Sequence, residues 1–267
     1  SHTWLPDAHG RAPSSISAML SGVLIEANVY ALIKVGLGLG WPMQQLGGLL
    51  IGMSLLNMTV GNALALVQTY GKRLLGYSSI AQVGYMTLAL GIGLAYDRPE
   101  AISAGLYLMV AHAAMKSLAF LCKGVCHYYC DATLIEELRG IGYRAPIAAS
   151  CFILALAGLL GVPPLAGFMA KWRILSSISR EADLVIWLAI GAFMLNILLS
   201  LGYYLRLIGL ILRRDDRHQE RVHVSYWMLT PMIVLAVSIV FMGLFPQPIS
   251  VLTDNAARFL LAWGPRG

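Results

Sequence analysis

The sequence predicts an all-helical membrane protein with about seven transmembrane helices. Of its 267 residues, 58% are apolar and only 12% are charged, whereas soluble domains carry about 25% charged residues. Apolar stretches long enough to cross a bilayer as helices recur along the whole chain. Both observations exclude an ordinary soluble domain.

The seven apolar segments follow one another with no soluble domain, low-complexity tract or flexible linker between them. The first begins after Pro13 with a serine-rich turn, which is typical of a helix start. The fifth is interrupted by glycine and proline, so we expect a broken helix there. The predicted spans are 14–38, 45–69, 76–96, 103–128, 146–179 (broken), 183–212 and 226–246. We expect a single membrane domain over residues 1–267.

The two ends of the chain carry separate signals. Segment 249–263 alternates apolar residues with Asp254 and Arg258, a pattern compatible with a helix lying at the membrane interface. The chain starts with Ser1 rather than Met, and its first residues read like a loop that continues from an earlier segment. We therefore expect it to be part of a longer polypeptide.

Basic residues in the short loops predict the orientation, because lysine and arginine favour cytoplasmic loops. One side of the predicted topology carries Arg11, Lys72, Arg73, Arg139, Arg144, Arg213, Arg214, Arg217 and Arg221. The other side carries Arg98, Arg180, Arg258 and Arg266. We expect the N-terminal loop on the cytoplasmic side of a bacterial, archaeal or organellar inner membrane, and the C-terminus outside. The net charge of +6 reflects this topology and does not indicate nucleic-acid binding.

The interrupted fifth segment is the first candidate site. Its apolar helix meets Gly161, Pro163, Pro164 and Gly167, and Lys171 follows directly. A helix broken within the membrane frees backbone groups that lipid cannot satisfy, so we expect a cavity or a file of waters there. A charge at such depth costs about 2.5–3.5 kcal/mol and indicates function. The alternative is a lysine that extends to the membrane surface.

Four further ionisable residues lie inside predicted spans. Glu26 lies near the middle of the first span, and His112, Lys116 and Lys123 lie in the fourth. His112 and Lys116 are four residues apart and share a helix face. A carboxylate, a histidine and lysines at depth can form a proton relay. The structural alternative is static ion pairing between helices, with Glu26 bound to a lysine such as Lys116.

The cysteines do not indicate a metal site. Cys122, Cys126 and Cys130 recur every four residues beside His127, whereas zinc and iron–sulfur ligands usually come from C-x-x-C turns. Such a stripe is more often made of small packing residues. The chain has no phosphate-binding loop, nucleophile elbow or dinucleotide fingerprint. We therefore expect no catalytic residue, no metal and no cofactor bound by this chain.

Several motifs together resemble the antiporter-like subunits of respiratory complex I, of membrane-bound hydrogenases and of Mrp-type sodium/proton antiporters. They occur in the family's order and cover the chain from its first residue to about residue 175. The matching segments are 2–9, 12–18, 77–85, 111–121 and 161–168, together with Lys171.

The resemblance implies a fourteen-helix protein with two inverted five-helix repeats, each holding a broken helix and half of a proton path. By this comparison the chain holds helices eight to fourteen and the whole second repeat. Lys171 takes the position of the outlet-side proton site, and Lys116 and His112 match residues that line the same path. Glu26 departs from the family, because many relatives have a lysine there.

The sequence therefore predicts a proton-translocating subunit of a redox-driven complex of the NADH:quinone oxidoreductase or membrane-hydrogenase type. The resemblance implies other membrane subunits as partners, with protons, or alternatively sodium, as the transported ion. Two alternatives stay open: an Mrp-type cation/proton antiporter subunit, and a scaffold or assembly subunit that does not conduct.

Overall fold

The computed structural model describes residues 4–179, 183–214 and 220–263, and these ranges are almost entirely helical. Among the described residues, six helices are long and apolar enough to cross a membrane, and one further apolar helix is shorter. In chain order the helices are α1 (Trp4–Arg11), α2 (Ser14–Gly38), α3 (Met43–Leu66), α4 (Gly71–Ala95), α5 (Pro99–Cys130), α6 (Pro146–Leu160), α7 (Ala166–Ile178), α8 (Leu184–Leu212), α9 (Tyr226–Leu244) and α10 (Gln247–Trp263). The predicted fold class is confirmed.

The helix boundaries differ most from the prediction where helices continue into polar sequence. α4 begins at Gly71, five residues before the predicted start at 76, and therefore includes Lys72 and Arg73. α5 begins at Pro99 instead of 103, with the proline in its first turn. Hydropathy marks only the apolar part of a helix, whereas backbone hydrogen bonding continues past it, and proline is favoured in the first turn.

α4 and α5 form the centre of the molecule. Of the most apolar window of each helix, 89% is buried in α4 and 67% in α5, against 28% in α8 and in α9. α5 packs against α2, α4, α6, α7, α9 and α10. Because these two helices are enclosed by the others, polar side chains on them are shielded from lipid by protein.

α2 is not a regular α-helix throughout. Its residues Leu20–Leu24 form a π-helical turn, and the α-helical part resumes at Ile25, one residue before Glu26. A π turn holds one extra residue and therefore rotates the following side chains by roughly 100° relative to an unbroken α-helix. The turn thus sets the direction in which Glu26 projects.

α10 is tied to the start of α5 by polar contacts. The Ser103 hydroxyl hydrogen-bonds to Asp254 and lies 2.9 Å from the hydroxyl of Thr253. Arg173 of α7 reaches the same carboxylate at 3.2 Å. The segment predicted as 249–263 is therefore a helix docked on the bundle, and its position at the membrane interface stays a prediction.

Candidate functional site

The fifth predicted span consists of two helices, α6 and α7, separated by residues 161–165. Gly161 has a φ of 95°, in the left-handed region that favours glycine. Gly167 allows α7 to approach α6 closely, since a Cβ atom at this position would lie 1.8 Å from the Gly158 carbonyl oxygen. Pro163 and Pro164 are joined by a cis peptide bond within the interruption.

Lys171 binds the end of α6 that the interruption exposes. Its Nζ donates to the carbonyl oxygens of Leu159 and Leu160 at 2.9 and 2.8 Å, and the residue is 6% exposed. Gln82 Nε2 also donates to the Leu159 carbonyl, at 3.0 Å. The C-terminal end of a helix carries partial negative charge and attracts a cation. Protein side chains therefore satisfy these two carbonyls, where we had expected a cavity or water.

Lys116 lies at the centre of the bundle and is fully buried. Its Nζ donates to the Leu75 carbonyl at 2.8 Å and to the Ser78 hydroxyl, both on α4. The Ser78 hydroxyl in turn donates to the Leu75 carbonyl at 2.9 Å. These contacts hold the amine of Lys116 against α4.

Glu26 contacts His112 and not Lys116. Its Oε1 lies 2.5 Å from Nδ1 of His112, one turn from Lys116 on α5, and both residues are buried. Our expectation of a direct pair between Glu26 and Lys116 was therefore wrong. The physical reason is that His112 reaches the carboxylate directly, whereas Lys116 is bound to α4.

Between the two lysines lie polar groups that sequence reasoning missed. Tyr204 on α8 is fully buried, and its ring stacks at an angle on that of Tyr203, with centroids 4.4 Å apart. Its hydroxyl makes no hydrogen bond of good geometry with any described residue, although the Ser78 and Gln82 side chains are near enough to interact with it. The only sequence signal was the resemblance over residues 77–85, which contains Ser78 and Gln82 but not Tyr204.

A second buried polar network, by contrast, is well paired. Asn62 donates to the Tyr85 hydroxyl at 3.1 Å and to Asn196 Oδ1 at 3.0 Å, and it accepts from the Tyr203 hydroxyl at 2.8 Å. The Tyr85 ring lies 5.4 Å below Nζ of Lys171, a cation–π distance. This network joins α3, α4 and α8 and supports the surroundings of Lys171.

Lys123 lies apart from the other ionisable groups, on a cavity of about 330 Å³. Its Nζ donates to the Ala132 carbonyl. Basic side chains dominate this cavity, with one carboxylate bound to Arg73 at 2.7 Å. The ionisable lining residues are Asp7, Arg11, Lys72, Arg73, Lys123 and His127.

His9 in α1 lies between this basic cavity and Lys116. Its ring stacks on Phe120 at 4.6 Å and is 1% exposed, and neither ring nitrogen has a hydrogen-bond partner among the described residues. Burial, together with the positive charges of Lys116 and Lys72, lowers the pKa of His9 from 6.5 to about 4. The imidazole is therefore neutral near pH 7.

His9 should make the protein less stable in acid. Between pH 6.5 and about 4 the unfolded chain binds a proton at His9 that the folded protein does not bind, so stability is complete above pH 6.5 and falls as the pH drops towards 4. The shift corresponds to about 3 kcal/mol. We expect His9→Gln to remove this part of the pH dependence of thermal unfolding, while the same change at exposed His127 leaves the dependence intact. Equal acid sensitivity in wild type and His9→Gln would contradict the assignment.

Two other groups considered in the sequence have ordinary structural surroundings. Cys122 and Cys126 are buried in the helix bundle, and among the described residues no group of three or more His, Cys, Asp or Glu is placed to hold a metal ion. Arg206 lies at the surface and pairs with Glu136 at 2.6 Å.

Comparison with protein families matches residues 1–199 to the family described as NADH:quinone oxidoreductase/Mrp antiporter, TM. The chain belongs to this family. NADH-quinone oxidoreductase subunit N of Geotalea uraniireducens is 34% identical over 258 residues, which cover 96% of this chain and 53% of that protein. F(420)H(2) dehydrogenase subunit N of Methanosarcina mazei is 31% identical over 276 residues, covering 97% and 54%.

The fold leads to the same family. A chain in the structure of the membrane-bound sulfane sulfur reductase, an archaeal respiratory membrane complex, matches with a TM-score of 0.84 and 30% identity over 98% of this chain and 54% of that chain. The chain thus spans about half the length of the curated relatives it matches. The resemblance found in the sequence is confirmed, and the protein is a multi-pass membrane protein of the antiporter-like family.

Proposed function

We propose that this chain is the second half of an antiporter-like subunit that moves protons through its interior in a redox-driven membrane complex. The observation that carries this proposal is the set of buried ionisable groups Glu26, His112, Lys116 and Lys171, enclosed by the helices around α4 and α5. Ionisable groups inside a membrane protein are costly and mark ion pathways and proton relays.

The order of these groups along α5 suggests the direction of the path. Lys123 lies near one end of α5, His112 and Lys116 near its middle, and Ser103, in contact with Asp254, at the other end. From Ser103 to Lys123 the helix rises about 30 Å, the thickness of a bilayer core. We assign the basic cavity at Lys123 to proton uptake on the cytoplasmic side, and Lys171 to the outlet half of the path.

The names of the relatives suggest the setting. Two are subunits of dehydrogenases, and the solved relative belongs to a respiratory membrane complex. We propose that other subunits carry the electron transfer, that neighbouring membrane subunits cover this chain, and that it binds no redox cofactor itself. Its N-terminal loop would lie in the cytoplasm and its C-terminus outside.

The test uses the full-length protein in its own complex, reconstituted into lipid vesicles with a pH-sensitive dye. Supplying the electron donor and a quinone should produce a pH gradient that a protonophore abolishes. A sodium gradient formed without redox substrates would instead support the Mrp-type alternative, to which the carboxylate of Glu26 could contribute as a cation ligand. Electron transfer with no ion movement in any variant would favour the non-conducting scaffold.

A further inference from the structure

The two central lysines are bound to different residues of the same helix. Lys116 is hydrogen-bonded to Ser78, and Lys171 shares the Leu159 carbonyl with Gln82. Ser78 and Gln82 lie one turn apart on α4, about 6 Å along the helix axis. A hydrogen bond spans only about 3 Å. The contacts of the two lysines are therefore not continuous unless a third group lies between them.

Tyr204 occupies that position. Its buried hydroxyl lacks a well-formed hydrogen bond to any described residue, and Ser78 and Gln82 both lie near enough to interact with it. Gln82 Oε1 is likewise buried and unpaired in the described part of the chain. Because Gln82 Nε2 is held by the Leu159 carbonyl at 3.0 Å, the orientation of the amide is fixed and its oxygen remains available as an acceptor. Buried polar atoms are nearly always paired, so two unpaired ones at one place call for a functional explanation.

We infer that the Tyr204 hydroxyl carries protons between Lys116 and Lys171. The inference rests on the proposed proton-translocating function and names a further residue of that path. A tyrosine hydroxyl can accept one hydrogen bond while it donates another, so it can pass a proton on without becoming charged.

The transfer balances without any further reactant except water. Lys116 gives a proton to the Ser78 oxygen, Ser78 gives its own proton to the Tyr204 oxygen, and Tyr204 gives its proton to a water molecule hydrogen-bonded to Gln82 Oε1. That water gives a proton to Lys171 when the amine of Lys171 is neutral. Lys116 loses one proton and Lys171 gains one, while the two hydroxyls and the water keep their original number.

Tyr203 provides a matched control. It is the next residue on the same helix and is also buried, but its hydroxyl donates to Asn62 Oδ1 at 2.8 Å within the well-paired network. In the reconstituted full-length complex we expect Tyr204→Phe to lower the proton translocation rate about tenfold or more. Positioned proton-transfer groups contribute roughly 100-fold or more, and water can replace part of this. Tyr203→Phe should translocate protons close to the wild-type rate.

Thermal stability should change in the opposite order. Tyr204→Phe removes a hydroxyl without a good partner, so its unfolding temperature should equal or exceed that of wild type. Tyr203→Phe leaves Asn62 Oδ1 without its tyrosine donor, so its unfolding temperature should fall. A purely structural role for Tyr204 would instead lower stability and translocation together. If Tyr204→Phe does not assemble, Tyr204→Leu serves as the second variant without a hydroxyl.

The outcomes separate this inference from the proposed function. Wild-type translocation in an assembled Tyr204 variant, or equal losses in Tyr203→Phe and Tyr204→Phe, would overturn the role of Tyr204 and leave the proposed function standing. Failure of the wild-type complex to translocate protons would overturn the proposed function itself.

Discussion

Replacing Lys171 with methionine should reduce proton translocation by roughly 100-fold or more, the contribution expected of a positioned proton-transfer group. Methionine keeps an unbranched apolar side chain but has no amine to accept or release a proton. The change also removes the donor that lies 2.8 Å from the Leu160 carbonyl, while Leu159 keeps Gln82. A buried carbonyl left unpaired costs about 1–3 kcal/mol, so unfolding should also become easier. Dye-reported proton uptake in vesicles and thermal unfolding measure the two effects.

Lys171→Arg separates the titrating amine from its structural contacts. Arginine keeps the positive charge and several donors for the end of α6, but it is not deprotonated in proteins. We therefore expect the arginine variant to recover most of the lost stability and little of the lost translocation. Wild-type translocation in both the methionine and the arginine variants would remove Lys171 from the path.

Most of the fold could be predicted from the sequence because the bilayer imposes long apolar helices. The broken helix was equally predictable, since glycine and proline interrupt an apolar run only where the backbone must turn. The start of α4 was placed too late because Lys72 and Arg73 resemble loop residues. The π turn at Leu20–Leu24 was not predictable, because its residues are ordinary helix formers.

The candidate site was predictable only as far as its charges. Lys171, Lys116, His112 and Glu26 stand out in apolar sequence, because a formal charge is costly in a membrane. Uncharged polar residues carry no such signal, and helices accommodate them easily. Tyr204 was therefore missed, although it lies between the two lysines.

Pairing between distant residues was the weakest part of the sequence analysis. Opposite formal charge suggested a lysine as the partner of Glu26, and Lys116 was the natural choice. The contact is made by His112, 86 residues away in sequence. It depends on the rotation that the π turn imposes on α2 and on the packing of α2 against α5, and neither is visible in residue spacing.

Breaking the contact between Glu26 and His112 from one side should be more costly than removing both groups. Removing one member of a buried hydrogen-bonded pair leaves the other without its partner, and for ion pairs this costs roughly 3–5 kcal/mol, whereas replacing both members with apolar residues is often neutral. We expect Glu26→Leu and His112→Leu each to lower the free energy of unfolding of the assembled complex. The double variant should lose less than the sum of the two, with a coupling of about 0.5–3 kcal/mol.

The same cycle built with Lys116→Met in place of His112→Leu should show a smaller coupling, because Lys116 is hydrogen-bonded to Leu75 and Ser78 and makes no direct contact with Glu26 among the described residues. Proton translocation should fall in every variant that lacks Glu26 or His112, since the pair lies one turn from Lys116 and its charge acts on that amine through a low-dielectric interior. A larger coupling to Lys116 than to His112 would mean that the carboxylate acts on the lysine directly. Strictly additive losses in both cycles would show that Glu26 stabilises α2 without being coupled to either group.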